Sequence, residues 1–365
     1  MHVLHLIDGL GLGGAERMLV DTANASAKDG HRVSVCVTRD NVSLALDLAP
    51  GIELVVLRRR RRFALRPLLR LAAFIRAHNV DVLHVHMRSS LLLALLMRTT
   101  KLIRIPIVFH DHYGTIETDT AVPAWFRIGG HYIDQYVGVH QRLTDWAIKA
   151  GVPAARAHTI ENRLDLDRLR KASTTDLDVG FDGLVGALVA TVRRPKGIEV
   201  AITALALCSS AKHIRVLVIG TEPDPTYASE CRELVQRLGL QDRVVFVGAR
   251  TDVPEILRSV DFGLLSSHTE SGPLVLIEYL AAGLPIVSTR VGDIGRKLDE
   301  LGVEGFVAAN DSTELSKAID QLVELPADAR RERASFGQQI LTSQWDIQNV
   351  MHRWYRIYET AMRTT

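Results

Sequence analysis

Glu270 and Glu278 bracket the start of a predicted helix in the stretch SSHTESGPLVLIEYLAAGLPIVSTRVGD, residues 266 to 293. The unpaired amides and the dipole of a helix N-terminus favour an anion, which assigns Gly272, Leu274 and Val275 to a phosphate. Carboxylates would repel that anion on contact. At about 1.5 Å of rise per residue, Glu278 stands far enough along the helix to accept hydrogen bonds from hydroxyls on one side of a phosphate, with Glu270 doing so on the other. A sugar and a ribose flanking a diphosphate offer such hydroxyls. The competing reading makes both residues ordinary helix-start acids, each favoured by the dipole by about 0.3–1 kcal/mol.

Four histidines and a glycine cluster carry further chemistry. His84 and His86 close one strand pattern, and His110 and His112 close another. In an open parallel sheet the carboxyl ends of the strands line the ligand crevice, so polar residues there are candidates for a site. No Asp or Glu at ligand spacing accompanies both pairs, and no metal is expected from them. Gly9, Gly11 and Gly14 satisfy G-x-G-x-x-G between the strand VLHLID and a helix, a dinucleotide signature. Because the next strand, VSVCVTRD, ends in Arg39 and Asp40, a nicotinamide-linked oxidoreductase stays open. Asp165 and Asp167 form a D-x-D at a predicted domain junction and are read as loop structure rather than as a metal pair.

The elements that must position these residues follow from periodicity. Leu274, Leu276, Ile277, Leu280 and Ala281 give the helix after Glu270 its buried face, with Ser271 as candidate cap, Pro273 in the first turn, and Gly283 with Pro285 as the stop. Strand and helix patterns alternate along the whole chain, with a first helix over 15–27, a second over 65–77 and a third from Ser89. That alternation predicts an α/β fold with parallel sheets covered on both faces. Thr174 to Gly183 lacks a clear period and reads as a linker. The three units expected are 1–170, 171–344 and a terminal amphipathic helix over 345–365 carrying Trp345, Trp354, Tyr355 and Tyr358.

Composition narrows the setting. The chain has 365 residues, 47% hydrophobic and 24% charged, with a net charge of +2. That is the profile of a globular protein of about two domains. Residues 1–165 carry 21 Lys and Arg against 15 Asp and Glu and eleven of the 14 histidines, whereas the remainder has 23 against 27. The first half is therefore the one built to meet an anion. Cys36, Cys208 and Cys231 suggest neither a disulfide framework nor a metal site, which predicts a reducing cytoplasm. No basic n-region precedes the first strand, and no apolar run reaches the ~20 residues that span a bilayer. The run Arg58 to Arg62 is expected to meet an anionic membrane surface or acceptor. The helix after it, with Phe63, Leu65, Leu68, Leu69, Ala72 and Ile75 at helical spacing, is expected to turn its apolar face to the core. No reader motif or interleaved aromatics point to nucleic acid.

Several stretches together resemble glycosyltransferase family 4, a group of retaining enzymes with the GT-B fold. They are the E-x7-E of Glu270 and Glu278, the following AAGLPIVST and VGD, GGAER near the start, VFHDHYG and VRRPKG. The resemblance implies two Rossmann-like domains facing a central cleft, with the C-terminal helix crossing back to the first. It implies an NDP-sugar donor, UDP or GDP, and a glycan or lipid-linked acceptor at the inner face of the cytoplasmic membrane, with no cofactor and no metal. By register, His110 would contact the donor sugar and phosphate. Lys196, with Arg193 or Arg194, would grip the diphosphate and stabilise the leaving group. Gly13 and Gly14 would let the backbone approach it, and Gly248 and Arg250 would lie near the base. His86, Arg88 and His112 are acceptor candidates, since HVHMRSS departs from the family wording. Thr191 stands where many members carry an arginine, a departure that leaves room for a catalytically silent relative. A sugar-nucleotide epimerase of the same fold is a further alternative.

Overall fold

The computed structural model describes residues 1–60, 64–114, 116, 119–175 and 181–364. The chain divides into two compact units, Met1–Asp165 with Ile347–Thr365, and Leu166–Asp346. Each is an all-parallel sheet with helices on its faces, the arrangement that strand and helix alternation requires.

In the first unit the strands are β1 (His2–Ile7), β2 (Arg32–Val37), β3 (Glu53–Val56), β4 (Val82–His86), β5 (Ile107–Asp111), β6 (Gln135–Gly138) and β7 (Ala157–Thr159). Between them run α1 (Gly14–Lys28), α2 (Leu65–Ala77), α3 (Arg88–Thr99), α4 (Ala124–Gly129) and α5 (Gln141–Lys149). The sheet order is β3-β2-β1-β4-β5-β6-β7. The strand order reverses between β1 and β4, and at such a switch point the connections leave in opposite directions and open a crevice at the strands' carboxyl ends. Leu68, Leu71, Ala72 and Ile75 of α2 are buried, so the apolar face of that helix is core, as its spacing predicts. Leu65 and Leu69, which share the pattern, are exposed.

The second unit begins with α6 (Leu166–Arg170) and continues through β8 (Leu184–Val189), α7 (Ile198–Leu207), β9 (Ile214–Ile219), α8 (Pro225–Arg237), β10 (Val244–Gly248), α9 (Val253–Leu257) and β11 (Phe262–Leu265). It ends with α10 (Leu274–Ala281), β12 (Ile286–Thr289), α11 (Gly292–Glu300), β13 (Phe306–Val307), α12 (Ser312–Glu324) and α13 (Ala327–Gln344). Its order, β10-β9-β8-β11-β12-β13, reverses between β8 and β11. Of the stretch 174–183, residues 176–180 lie outside the described residues. On either side, the Thr175 amide donates to Ser259 Oγ at 2.7 Å, and the Phe181 ring lies under Arg215 and Arg243.

The last helix, α14 (Gln348–Arg363), belongs to the first unit. Trp354 and Tyr358 are fully buried, and the Ile347 amide donates to the Leu164 carbonyl at 3.0 Å. Burial of two large aromatics is worth several kcal/mol by area and fixes this helix on the sheet.

In the second unit Tyr279 of α10 is the corresponding anchor. Its buried hydroxyl accepts from the Val189 amide at 2.9 Å and donates to the Leu264 carbonyl at 3.1 Å, joining the ends of β8 and β11. Gly263 leaves room for the ring, since a Cβ there would stand 2.2 Å from it. Tyr279→Phe strands a buried donor and acceptor and should cost about 1–3 kcal/mol, read as a lowered urea midpoint; an unchanged midpoint would show that water replaces the hydroxyl.

Candidate active site

The carboxyl ends of β8 and β11 are adjacent at the switch point of the second sheet, and this brings together two residues 74 apart in sequence. Lys196 Nζ donates to Glu270 Oε1 at 2.5 Å, with Ser267 Oγ donating to the same oxygen at 2.8 Å. Both side chains are largely buried, Lys196 at 18% and Glu270 at 12% exposure, so each charge depends on the other for compensation. Lys196 ends a single 3-10 turn, Arg194–Lys196, closed by Gly197 at φ +57°. That conformation favours glycine, and a Cβ at Gly197 would stand 2.2 Å from the Ser266 carbonyl oxygen. The two loops are zipped together by His268 N donating to Pro195 O at 3.0 Å and Ser266 Oγ to Lys196 O at 3.3 Å.

The helix start between the two glutamates differs from the sequence expectation in one respect. Ser271 does not cap it: α10 begins at Leu274 behind Pro273, with no side-chain cap. Instead the Ser271 carbonyl accepts from the Asp293 amide at 3.0 Å, and Gly292, at φ +68°, leaves room for the Pro273 ring, which a Cβ would meet at 2.7 Å. The VGD sequence thus buttresses the turn that presents the first-turn amides of Leu274 and Val275. At the other end, Gly283 at φ +81° follows the Ala282 C-cap and stops the helix, as expected.

Glu278 is not solitary on its helix. Arg168 of α6 donates to Glu278 Oε1 at 3.3 Å, a partner 110 residues away that no local spacing announces. The two arginine candidates beside Lys196 separate clearly. Arg194 donates to both oxygens of Glu230, at 2.8 and 2.9 Å, and lies over the Tyr227 ring, whereas Arg193 is exposed and makes no ion pair among the described residues. A chain of groups that sequence reasoning missed runs behind the loop: Asn310 bonds His268 Nδ1, His268 Nε2 lies 2.6 Å from Glu199 Oε1, and Tyr227 donates to Glu199. The His268 in SSHTESG was the available signal. Gly248, at φ +73°, ends β10 with open space around its Cα, and Arg250 beside it is paired with Asp252 at 2.7 Å. Of the D-x-D pair, the Asp165 amide donates to Asp21 and Asp167 accepts from Lys171.

In the first unit Gly13 caps α1 and Gly14 opens it, but the Glu16 carboxylate packs over Gly13, within 2.3 Å of where a Cβ would be. Burial pushes the Glu16 carboxyl up, and it must turn aside before an anion can reach those amides. Arg88 is held at 3.0 Å by Asp111, and its guanidinium lies over the Tyr113 and Trp146 rings. Within the arginine run, Arg59 turns inward to Asp8 at 2.9 Å with its side chain 6% exposed. Arg58 and Arg60 are exposed, and Arg61 and Arg62 lie outside the described residues.

His84, His86 and His110 share one sheet face, because alternate residues of a strand point the same way, and His112, just past β5, packs against the His86 and His110 rings. Parallel register sets His5 of β1 beside His84, and His86 beside His110, making a cluster of five. Four of these rings are fully buried and His112 is partly exposed. Trp354 and Tyr358 cover the face, with the Tyr358 hydroxyl 2.8 Å from His84 Nδ1. His5 was the member missed, although LHLI places it two residues before a strand's end.

Two family models match, Glycosyltransferase Family 4 over residues 12–168 and Glycosyl transferases group 1 over residues 183–325. The chain belongs to glycosyltransferase family 4. Among curated relatives, this family 4 glycosyltransferase is 26% identical to N-acetyl-alpha-D-glucosaminyl L-malate synthase of Bacillus anthracis, over 80% of this chain and 78% of that one. It is 25% identical to the lipopolysaccharide core biosynthesis mannosyltransferase LpsB of Rhizobium meliloti, over 77% and 80%. Its fold is that of Anabaena Alr3699/HepE, solved in complex with UDP and glucose (TM-score 0.81, 22% identity, 99% and 100% of the two chains). It is also that of the sucrose-phosphate synthase of Thermosynechococcus elongatus (TM-score 0.78, 16% identity, 100% of both). The fold is GT-B, with two Rossmann-like sheets, as the sequence resemblance implied.

Burial holds the five clustered histidines neutral: His5 and His112 are lowered from 6.5 to about 3, and His84, His86 and His110 well below their ordinary value. The unfolded chain takes up protons near pH 6.5 that the folded one refuses. Stability is therefore full above about pH 6.5 and falls as the pH drops toward 3, by up to ~1.4 kcal/mol per pH unit for each histidine. Urea midpoints at pH 7.5, 6 and 5 should fall in that order, and less steeply in His112→Gln; a flat profile would show that the rings titrate normally.

Proposed function

We propose that this glycosyltransferase moves a hexose with retention from an NDP-sugar, UDP or GDP, to a hydroxyl of a glycan or lipid-linked acceptor at the inner face of the cytoplasmic membrane. The Lys196–Glu270 pair at the switch point of the second sheet carries this reading. It sets a cation for a leaving diphosphate and a carboxylate for sugar hydroxyls beside the first-turn amides of α10. The names of the relatives, a glucosaminyl malate synthase and a mannosyltransferase, and the UDP and glucose held by Alr3699/HepE support a sugar nucleotide as donor.

In this reading Glu270 accepts from hydroxyls of the donor sugar and Glu278, steadied by Arg168, from the ribose. Lys196, Arg193 and the amides of Leu274 and Val275 neutralise the diphosphate as it leaves, and electrostatic preorganisation of that kind is a large share of many rate enhancements. Arg193 takes the role that Thr191 lacks, since Arg194 is occupied by Glu230. Gly248 and Arg250 face the base, Gly13 and Gly14 the diphosphate, and His110 the sugar and phosphate; His86, Arg88 and His112 serve the acceptor. The C1–O bond to phosphate breaks as the acceptor oxygen bonds C1 on the same face. The acceptor proton passes to the departing phosphate oxygen. No protein nucleophile and no metal enter that step.

No described helix is long and apolar enough to cross a membrane. Surface attachment is proposed through the exposed basic residues of the arginine run, with exposed Leu65 and Leu69 beside Arg66 and Arg70. Such residues contribute ~1 kcal/mol each near an anionic surface.

Two measurements test these readings. With a panel of NDP-sugars, Glu270→Gln and Lys196→Ala should each lower NDP release at least tenfold, about 1.4 kcal/mol in barrier, and parental rates in both would move the site elsewhere. A sugar isomer appearing instead would indicate an epimerase, and NADPH binding an oxidoreductase. Separately, changing Arg58, Arg60, Arg61 and Arg62 to Ser while keeping Arg59 should weaken binding to anionic liposomes and leave hydrolysis of the soluble donor intact; unaltered liposome binding would exclude the membrane role.

A further inference from the structure

Sugar transfer as proposed draws on His86, His110 and His112 and gives no part to His5, which lies deeper on the same sheet face. His5 is fully buried on β1, and its Nδ1 stands 3.1 Å from His86 Nε2. His86 Nδ1 in turn stands 3.4 Å from His112 Nε2. Three imidazoles thus form one line of N–H···N contacts that begins in the core and ends at a partly exposed ring. The inner end is closed, since His5 Nε2 is buried with no partner among the described residues. The outer end is His112 Nδ1, which no described residue bonds. The neighbouring His84 stays outside the line, with its Nδ1 taken by the Tyr358 hydroxyl.

That geometry restricts where the protons sit. Burial keeps these rings neutral. A neutral imidazole carries one proton on its two nitrogens, so a ring that donates through one must accept through the other. Two arrangements satisfy both contacts. Either every ring is protonated at Nδ1 and the line donates outward from His5, or every ring is protonated at Nε2 and it donates inward. The inward arrangement ends in an orphaned N–H at the buried Nε2 of His5, a fault that folded proteins rarely carry. The outward one leaves only a bare nitrogen there.

We propose that His5 is a positioning residue for sugar transfer, acting through His86 to fix the tautomers of both acceptor histidines and so to set an N–H donor at His112 Nδ1. This builds on the reading that His86 and His112 serve the acceptor, and it adds the chemistry of that contact. The acceptor group opposite His112 is an oxygen that gives a lone pair, such as an ether, carbonyl or phosphate oxygen. No imidazole of the line then takes the acceptor proton, in keeping with its passage to the departing phosphate.

The test is long-range proton–nitrogen NMR on the full chain labelled at the histidine ring nitrogens, in which protonated and bare nitrogens resonate far apart. At neutral pH, His5, His86 and His112 are each expected as the Nδ1–H tautomer. His5→Leu removes the inner donor and should return His86 and His112 to a mixture of tautomers. His5→Asn, whose side-chain amide reaches the place of Nδ1, should restore the parental pattern. An Nε2–H at His86 or His112 in the parental chain overturns the proposal without recourse to any variant, as does a His5→Leu spectrum in which both keep the parental tautomer. With an NDP-sugar as donor and water as the probe acceptor, His5→Leu should lower kcat for NDP release by about fivefold or more at an unchanged KM for the donor. His5→Asn should recover that rate. Equal kcat in the parent and His5→Leu, or equal loss in the Leu and Asn variants, overturns the role in transfer. The NMR measurement needs neither donor nor acceptor, so a failure of the acceptor reading alone leaves the tautomers as expected and shows only in the kinetics.

Discussion

An ammonium and a carboxylate withdrawn together from water tie two loops of the second unit to each other. Lys196 and Glu270 lie in the loops that follow β8 and β11, and each is more than four-fifths covered. Removing either partner would leave the other a buried charge without compensation, which costs several kcal/mol. The pair is thus at once a structural tie and a prepared polar surface. A ligand that brings both an anion and hydroxyls can divide the pair and leave both charges compensated. One that brings only an apolar surface cannot.

The surrounding structure serves that constraint. Tyr279 ties β8 to β11 from below, Gly197 lets the basic turn approach the Ser266 carbonyl, and Gly292 lets Pro273 and Ser271 settle against α11. His268 bridges Asn310 and Glu199 behind the same turn. Removing any of these leaves the motif residues in the sequence but loosens the geometry that brings them together.

The first unit solves a different problem at its own switch point. It buries four imidazoles, with His112 partly exposed beside them, where a sheet would ordinarily bury apolar side chains, and covers His84 and His110 with Trp354 and Tyr358 of a helix from the far end of the chain. Desolvation keeps these rings neutral, so the face offers lone pairs rather than charge. The positive character of residues 1–165 comes instead from arginines, and of these Arg59 and Arg88 are already committed to Asp8 and Asp111.

What the sequence determined by itself was local. Alternating strand and helix periods, and Pro273 and Gly283 at the ends of one helix, are set by residues within a few positions of one another, and the α/β class and the existence of the helix after Glu270 were legible for that reason. The tertiary structure decided whatever depends on which strands lie side by side. That Lys196 meets Glu270 across 74 residues and Arg168 meets Glu278 across 110, that Arg194 is spent on Glu230 while Arg193 is not, and that His5 joins the other histidines all follow from sheet order and register. A spacing within one segment carries no record of its neighbour in the sheet, because register is fixed only when the strands pair.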